Sequence, residues 1–337
     1  RAQEKDAVSS LYQGQTIDFS NKLNHIAFGS CNNQRKEKEQ RIWSSVARNR
    51  PDLWIWLGDN IYGDSEDMAV LRRKYLRQKN GQYYSALRKI CPIIGIWDDH
   101  DYGVNDGDRT YPKKRESQKL MLDFLDVPGD HPARSREGTY QSYTFGEGDR
   151  KIKVILLDAR FFRDELRPNP SGNTRYLPNP KGDILGEAQW NWLREELTNS
   201  DAAIHLIGSG IQIIPEQHPY EKWANFPSAR TRFFRLLART GVRNPILISG
   251  DRHIAEVSAL KIPTFGQTVY EITASGMTHT WSDKEAEEPN RYRLGPLVIS
   301  RNFAVLKIDW EATPLQAVVE IRGPENELLL EDKLFLR

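Results

Sequence analysis

Between residues 25 and 250, short apolar runs alternate with segments of helical periodicity. The runs "HIAFGSC", "PDLWIWLGD" and "KIKVILLDAR" are largely apolar, which is typical of buried strands. The segments "EKEQRIWSSVARN" and "GEAQWNWLREELTNS" repeat their apolar residues at helical spacing, and a further helix is predicted from Glu66 to Leu87. This alternation predicts an α/β fold in which helices cover β-sheets.

From about residue 254 the helical periodicity ends and strand patterns follow one another. The runs "EVSALKI", "QTVYEITAS", "FAVLKID", "LQAVVEI" and "KLFLR" have almost no helical segment between them. They predict antiparallel strands at the C-terminus of the α/β domain. Three stretches with little regular pattern, around 167–180, 215–227 and 281–297, are predicted to be long loops that border a site.

The chain carries 48 basic and 46 acidic side chains, so its formal charge of +2 gives no reason to expect nucleic acid or a membrane surface as a partner. No run of about 20 apolar residues is present, and no transmembrane segment is therefore predicted. Residues 1–22 are expected to form a polar extension and residues 23–337 one domain. Because the chain begins at Arg1 without an apolar targeting segment, we expect a trimmed form of a secreted, periplasmic or cell-surface protein.

Residue types that bind metals or phosphate follow five of the predicted strands. They are Cys31, Asp59, Asp98, Asp99, His100, Asp158, Arg160, Asp251 and His253. A single aspartate after a strand is usually a turn residue or a helix cap. In α/β sheets, however, ligands bind at the carboxyl ends of strands, so five such ends are expected to converge on one site.

The stretch "GDNIY" places Asp59 and Tyr62 three positions apart after a strand, so a turn directs both side chains to one centre. A phenol has an ordinary pKa of about 10, and only a strongly charged cation makes phenolate a favourable ligand near neutral pH. With the thiolate of Cys31, three anionic ligands would balance a trivalent ion, which favours Fe(III). Asp99 and Asp251 suit a second ion that prefers oxygen, such as Ca²⁺, Mn²⁺ or Mg²⁺, with Zn²⁺ as a further option.

Alternatives stay open for several of these side chains. Cys31 is a ligand, a small buried residue or the disulfide partner of Cys91, and Cys91 by itself is expected to be a buried, inert thiol. Tyr62 is a ligand or a loop aromatic with a hydrogen-bonded hydroxyl. His279 follows a strand and a turn of small residues, which makes it a candidate site residue, whereas His205 is expected to lie in the core.

Seven motifs in this order resemble the PhoD family of secreted, metal-dependent phosphatases and phosphodiesterases, within the calcineurin-like metallophosphoesterase superfamily. The motifs are "FGSC", "GDNIY", "WDDHD", "LLDAR", "LGEAQWNWL", "SGDRH" and "SGMTH", and they cover about residues 25–280. The resemblance implies a four-layer sandwich, in which two mixed sheets are flanked by helices, and a site with one Fe(III) and Ca²⁺ ions or a comparable set. The family also has an accessory β domain before the catalytic domain, and only about two dozen residues precede the first motif here.

The resemblance also implies roles by position. Cys31 and Tyr62 would hold the iron, and Asp59 would bridge the metals. Asp99 stands where the superfamily has a metal-binding asparagine, and His100 stands where it has a histidine that contacts the substrate.

Two further metal motifs of the superfamily have partial counterparts. Asp251 and His253 match the last one, with aspartate in place of its first histidine. A mid-chain histidine ligand has no clear counterpart near "GSGIQ", where Gln212 is the only polar candidate.

These features predict hydrolysis of phosphate esters by a water or oxide that the metals activate. His100 would contact the phosphoryl group or protonate the leaving oxygen. Asn60, Arg160 and His279 are candidate substrate contacts, and the alternative for Arg160 is a salt bridge to Asp158 or to a loop carboxylate.

The substrate class stays open between a small phosphate ester and a phospholipid. One interpretation of the aromatic residues in the long loops, Tyr176, Trp223 and Trp281, is that they form a wall for an organic substituent, which favours a diester. The other interpretation is that they pack on the sheet edge. A rival of another class is a secreted binding module that keeps its metals for stability alone. We expect a monomer in either case.

Overall fold

The computed structural model describes residues 17–172, 174–281 and 288–337. Most of the predicted extension, residues 1–22, therefore lies outside the described residues. The strands are β1 (His25–Gly29), β2 (Leu53–Leu57), β3 (Ile93–Ile96), β4 (Gln141–Phe145), β5 (Ile152–Leu156), β6 (Arg167–Pro168), β7 (Tyr176–Leu177), β8 (Ile204–Ser209), β9 (Pro245–Ser249), β10 (Ala255–Lys261), β11 (Thr268–Ala274), β12 (Arg293–Val298), β13 (Phe303–Asp309), β14 (Gln316–Arg322) and β15 (Leu328–Phe335).

The helices connect these strands on the outside of the molecule. The α-helices are α1 (Ile42–Arg48), α2 (Met68–Lys79), α3 (Gln82–Leu87), α4 (Asp99–Tyr102), α5 (Lys114–Phe124), α6 (Gly186–Thr198) and α7 (Pro227–Thr240), and 3₁₀ turns cover Glu39–Arg41, Pro132–Arg134, Gly148–Arg150 and Trp223–Asn225. Within the described ranges, no helix is both long enough and apolar enough to cross a bilayer.

The strands form two large mixed sheets and one short hairpin. The first sheet has the order β15-β14-β13-β1-β2-β3, and the second has the order β12-β10-β11-β9-β8-β5-β4, while β6 pairs with β7. Strands β1, β2 and β3 are parallel, and so are β5, β8, β9 and β11. Parallel neighbours end at the same edge of their sheet, and this edge carries the polar residues that the sequence places after the strands.

The two sheets pack face to face because alternate side chains of each strand point inward. Ile26 and Phe28 of β1 belong to the same buried apolar cluster as Leu206 of β8 and Ile248 of β9. The side chains between them point outward and pack against helices on both outer faces. The result is the expected four-layer sandwich of helices, sheet, sheet and helices.

The secondary structure differs from the prediction in several places, one of which is the short hairpin of β6 and β7 within the predicted loop 167–180. The segment predicted as one helix, Glu66 to Leu87, is two helices, because the chain is extended at Gly81, which lies between them. Of the predicted loop 281–297, residues 282–287 lie outside the described residues, and residues 293–297 belong to β12, which pairs with β10. Gly295 and Pro296 hide this strand in the sequence, and they are tolerated because β12 lies at the edge of its sheet.

An aromatic cluster joins the helices to the outer face of the first sheet. The ring of Trp43 in α1 lies 4.8 Å from Trp54, 4.9 Å from Trp56 and 4.9 Å from Tyr84, measured between centroids. Its indole Nε1 donates a hydrogen bond of 2.9 Å to Gln40, and its side chain is fully buried. This residue therefore fixes α1 and α3 on β2.

We predict that Trp43→Ala lowers the free energy of unfolding by about 3–5 kcal/mol, because the substitution leaves a large cavity that rigid neighbours cannot fill. Chemical denaturation followed by circular dichroism measures the change. Phe335→Ala is the control, and it should change the free energy by less than about 0.5 kcal/mol because Phe335 is 66% exposed. Equal losses in the two variants would contradict this account of the cluster.

Candidate metal centre

The edge where the parallel strands end brings metal-ligating side chains together from four strands. Ligand atoms of three residues lie within 4.8 Å of one another in each of three groups. The groups are Cys31, Asp59 and His253; Asp59, Asp99 and His100; and Asp98, Asp99 and Asp251. Because Asp59 and Asp99 each belong to two groups, the three groups form one continuous cluster. This is the arrangement that a site for several metal ions requires.

Four of the residues in these three groups have a left-handed backbone. Their φ angles are 60° at Cys31, 49° at Asp59, 67° at Asp251 and 55° at His253. Residues other than glycine adopt this conformation rarely, and it persists where the surrounding structure holds it in place for a function. The left-handed turn directs each side chain out of its strand and into the cluster.

Close packing around Asp98 explains the small residues in two of the motifs. A Cβ atom on Gly58 would lie 2.3 Å from the Cβ of Asp98, and a Cβ on Gly210 would lie 2.4 Å from its Oδ1. Only glycine fits at either position. The ends of β2 and β8 therefore approach Asp98 from both sheets, which fixes its place in the cluster.

The cluster contains more buried acceptor atoms than the described residues supply with donors. Asp59 Oδ1, Asp98 Oδ2 and Asn60 Oδ1 are buried and have no hydrogen-bond partner among the described residues. Burial raises the pKa of Asp59 and of Asp251 well above the ordinary range of a carboxyl, and nearby acids raise it further. Burial likewise raises the pKa of the Cys31 thiol. These residues fit bound cations, because a cation both supplies the missing contacts and favours the ionised forms.

Tyr62 contacts the cluster, and its hydroxyl and Asp59 come together as the spacing of "GDNIY" predicts. Its hydroxyl lies 3.5 Å from Asp59 Oδ2, 3.0 Å from His253 Nε2 and 2.8 Å from His279 Nε2. Burial lowers the pKa of His253 to about 3 and that of His279 to about 4. Both imidazoles are therefore neutral near pH 7, which is the form that binds metals.

His100 has the contacts of an oriented proton donor. Its Nδ1 lies 2.5 Å from Asp64 Oδ1, and its ring centroid lies 4.0 Å from that of Tyr62. Burial favours the neutral ring, but the charges of Asp59, Asp99 and Asp64 outweigh burial and raise the pKa of His100 to about 11. Asp64 was not among the site residues predicted from the sequence, although it is the second aspartate of "GDNIYGD".

The pKa of the acid beside His100 shifts in the opposite direction. Burial raises the pKa of Asp99, but the charges of Arg160 and His100 outweigh it and lower the pKa to about 2. Asp99 Oδ1 accepts from the His100 amide and its Oδ2 from the Asp106 amide, both at 2.8 Å. Asp99 is therefore a preformed carboxylate within the cluster.

Arg160 is fully buried and balances two carboxylates. Its Nε donates to Asp98 Oδ1 at 2.6 Å, and its Nη1 donates to Glu221 Oε2 at 2.7 Å. These contacts match the alternative that the sequence left open, a salt bridge to a loop carboxylate, while a phosphate contact stays a prediction. Asp158 instead accepts the amide protons of Arg160 and Phe161, which is the ordinary role of an aspartate in a turn.

Asn60 and Gln212 have structural hydrogen bonds on one side of their amide groups. Asn60 Nδ2 donates to the Ile96 carbonyl at 3.0 Å. Gln212 Nε2 donates to Glu256 and to Thr273, each at 2.8 Å, and its Oε1 is buried without a partner among the described residues. Their roles toward substrate or metal stay predictions.

The remaining candidates resolve in different ways. Cys31 and Cys91 are both free and buried, so the disulfide alternative is wrong and Cys91 is the expected buried thiol. Trp223 is fully buried in the outer core of the second sheet, and it therefore does not line the site. Trp281 lies beside His253, with 5.0 Å between ring centroids. Tyr176 donates a hydrogen bond to Asp106.

Asp98 belongs to one of the three ligand groups, although no specific role was predicted for it from the sequence. Asp98 was expected only as one of the polar residues after a strand, and the family resemblance implies a metal-binding role for its neighbour Asp99. Adjacent side chains point in different directions in an extended strand, so two neighbouring acids do not ordinarily reach one site. The chain turns into α4 at Asp99, and this turn brings both carboxylates to the cluster.

Comparisons with known proteins agree with this geometry. Residues 26–302 match the family of PhoD-like phosphatases. Alkaline phosphatase D of Bacillus subtilis (strain 168) is 23% identical over 280 residues, and the match covers 70% of this chain and 47% of that protein. The chain thus spans about half the length of this curated relative.

Solved structures share the fold. A structure of PhoD aligns with a TM-score of 0.73 and 17% identity, over 96% of this chain and 70% of that one. Purple acid phosphatase PPD1 from yellow lupin seeds gives a TM-score of 0.58 and 10% identity, over 96% of this chain and 55% of that one. A dimetal phosphatase from Danio rerio gives a TM-score of 0.54 and 15% identity, over 94% of this chain and 100% of that one. The family match extends over more than half of the chain, and this protein therefore belongs to the PhoD-like phosphatase family.

Proposed function

We propose that the protein hydrolyses phosphate esters at a site that holds several metal ions. The observation that carries the proposal is the continuous cluster in which Asp59 and Asp99 each belong to two ligand groups. Two cations that share a carboxylate ligand lie close enough to hold two oxygens of one phosphoryl group. Membership of a phosphatase family and the Asp64–His100 pair beside the cluster support the same reaction.

The donor set divides into two kinds of site. Cys31, Tyr62, Asp59 and His253 offer sulfur, phenol oxygen, carboxylate and imidazole, which suits Fe(III). Asp98, Asp99 and Asp251 offer carboxylate oxygens alone, which suits Ca²⁺ or another divalent ion such as Mn²⁺, Mg²⁺ or Zn²⁺. When bound, such cations act as Lewis acids toward phosphoryl oxygens and lower the pKa of water.

The side chains around the cluster position the ester and move one proton. His100 donates from its Nε2 to the leaving oxygen, because Asp64 holds its Nδ1 and fixes the orientation of the ring. Asn60, Arg160 and His279 are the proposed substrate contacts. Arg160 also holds the carboxylate of Asp98 in place through a hydrogen bond.

The natural substrate is proposed to be a small phosphate ester, and a phospholipid diester is the runner-up. The alternative to an enzyme is a secreted module that uses its metals for folding alone. Such a module would not need the oriented Asp64–His100 pair at the cluster. Turnover of p-nitrophenyl phosphate and of its bis ester, with and without chelator, separates these possibilities.

We further propose that residues 23–337 form the catalytic domain, that the enzyme acts as a monomer, and that it works outside the cytoplasm. The export proposal rests on the family resemblance, and it is tested by locating the protein in cell fractions.

We predict that Asp59→Asn lowers kcat/KM by about 10²-fold or more, because the variant keeps the shape of the ligand and loses the charge that two cations share. The metal content of the purified protein, measured by elemental analysis, should fall with the activity. The metal-free variant should unfold at the same denaturant concentration as the metal-free parent, or a higher one, because a neutral amide replaces a buried acid.

Asp149→Asn, at an exposed position, is the control. An Asp59→Asn enzyme with full activity and metal content would contradict the bridging role.

We also predict that His100→Gln slows hydrolysis of alkyl phosphates by about 10²–10⁴-fold. The loss should be much smaller for p-nitrophenyl phosphate, because p-nitrophenolate leaves without needing a proton. Asp64→Asn should change rates in the same direction by a smaller factor, since it removes orientation and charge from a histidine that is still present. A plot of log kcat/KM against leaving-group pKa measures this effect. The same slope in both variants and the parent would rule out His100 as the acid.

A further inference from the structure

Two aromatic rings extend the metal cluster on the side of His253. The rings of Trp281 and Tyr220 stack with 6.0 Å between centroids and 16° between planes, and the Trp281 ring lies 5.0 Å from that of His253. The Trp281 amide donates to the His253 carbonyl at 3.2 Å, which fixes the backbone of the two residues together. We call Trp281 and Tyr220 the aromatic strip. Neither ring is fully buried or fully exposed.

Two guanidinium groups border the aromatic strip. Arg252 lies 4.2 Å from the centroid of the Tyr220 ring, and it is almost fully buried beside Glu288. Arg175 lies 5.0 Å from the same centroid, on the hairpin of β6 and β7, and its side chain is exposed. Within the described residues, no carboxylate pairs with Arg175. The outer end of the strip therefore carries one positive charge that is available to a ligand.

The Arg175 hairpin is attached to the loop that carries Tyr220. The Arg175 amide donates to the Pro219 carbonyl at 3.0 Å, one residue before Tyr220. The same loop carries Glu221, which is tied to Arg160 and through it to Asp98 in the cluster. Buried ion pairs thus hold the Tyr220 end of the aromatic strip at a fixed position relative to the proposed metal ligands.

We propose that the aromatic strip and Arg175 bind the organic substituent of the ester and select substituents that contain a flat ring. This inference rests on the proposed function, since the cluster must first hold the phosphoryl group. A phosphoryl group at the cluster lies next to His253, so a substituent that leaves it on this side runs over Trp281 toward Tyr220. A planar ring stacks on such a surface and on the Arg175 guanidinium, whereas a methyl group is too short to reach it.

The substrate class that follows is a phosphodiester with an aryl or nucleoside group, in preference to one with a short alkyl group. Stacking between aromatic rings favours the aryl diester by about threefold to tenfold. The strip differs from the wall expected from the sequence, because Tyr220 takes the place of the buried Trp223.

The experiment compares two diesters that release the same leaving group. Bis(p-nitrophenyl) phosphate retains an aryl group after p-nitrophenolate departs, and methyl p-nitrophenyl phosphate retains a methyl group. The ratio of their kcat/KM values is measured in the parent, in Trp281→Leu and in Tyr220→Leu. Because both esters are assayed on the same preparation, any loss of folded or metal-loaded enzyme cancels in the ratio.

The ratio of aryl to methyl diester should fall about threefold to tenfold in both leucine variants. Tyr220→Phe, which keeps the ring, and Trp192→Leu, whose ring packs on Tyr140 instead, should keep the ratio of the parent. Inhibition constants of phenylphosphonate and methylphosphonate, measured against p-nitrophenyl phosphate, should change in the same proportion and report binding alone.

An unchanged ratio in both leucine variants would overturn the assignment of the strip while leaving the proposed function intact. A ratio that falls equally in Trp192→Leu would also overturn it, because the effect would then not belong to these rings. A parent enzyme that hydrolyses neither diester nor p-nitrophenyl phosphate would overturn the proposed function, and the strip with it.

Discussion

The constraint on which this structure depends is the burial of several acids and one thiol within a single small volume. Asp59, Asp251 and Cys31 all lie there with raised pKa values, because burial and their neighbours oppose their ionised forms. The described residues supply only partial compensation, from Arg160 at Asp98 and from His100. Metal cations satisfy such a cluster, and the same cations are suited to hold and polarise a phosphoryl group. The feature that is costly for folding is therefore the one that suits metal cations and a phosphoryl group.

The sandwich holds this arrangement in place from both sheets. Parallel strands deliver their carboxyl ends to one edge, and left-handed residues then turn the ligands toward each other. Glycines at 58 and 210 let strands from the two sheets approach Asp98. Strain of this kind persists only where well-packed surroundings oppose relaxation, and the core between the sheets and the cluster around Trp43 provide them.

Most of the cluster was predictable, because a polar residue after an apolar run is visible without knowledge of the topology. The parts that were missed depend on contacts between distant segments. Asp64 gains its role only because His100 lies beside it in the fold, and Arg160 is engaged by a loop carboxylate, Glu221, 61 residues further along the chain. Trp223 looked like a wall residue because its loop carries little regular pattern, but long-range packing buries it. The edge strand β12 was obscured by its glycine and proline, whose cost is small at a sheet edge.

Anomalous diffraction from crystals of the purified protein, collected on both sides of the iron absorption edge, tests the central claim most directly. The account predicts an iron peak within bonding distance of Cys31 Sγ and Tyr62 Oη, and a second cation that contacts Asp99 and shares Asp59 with the iron. A protein without bound metal at full activity, or metal bound away from these side chains, would contradict it.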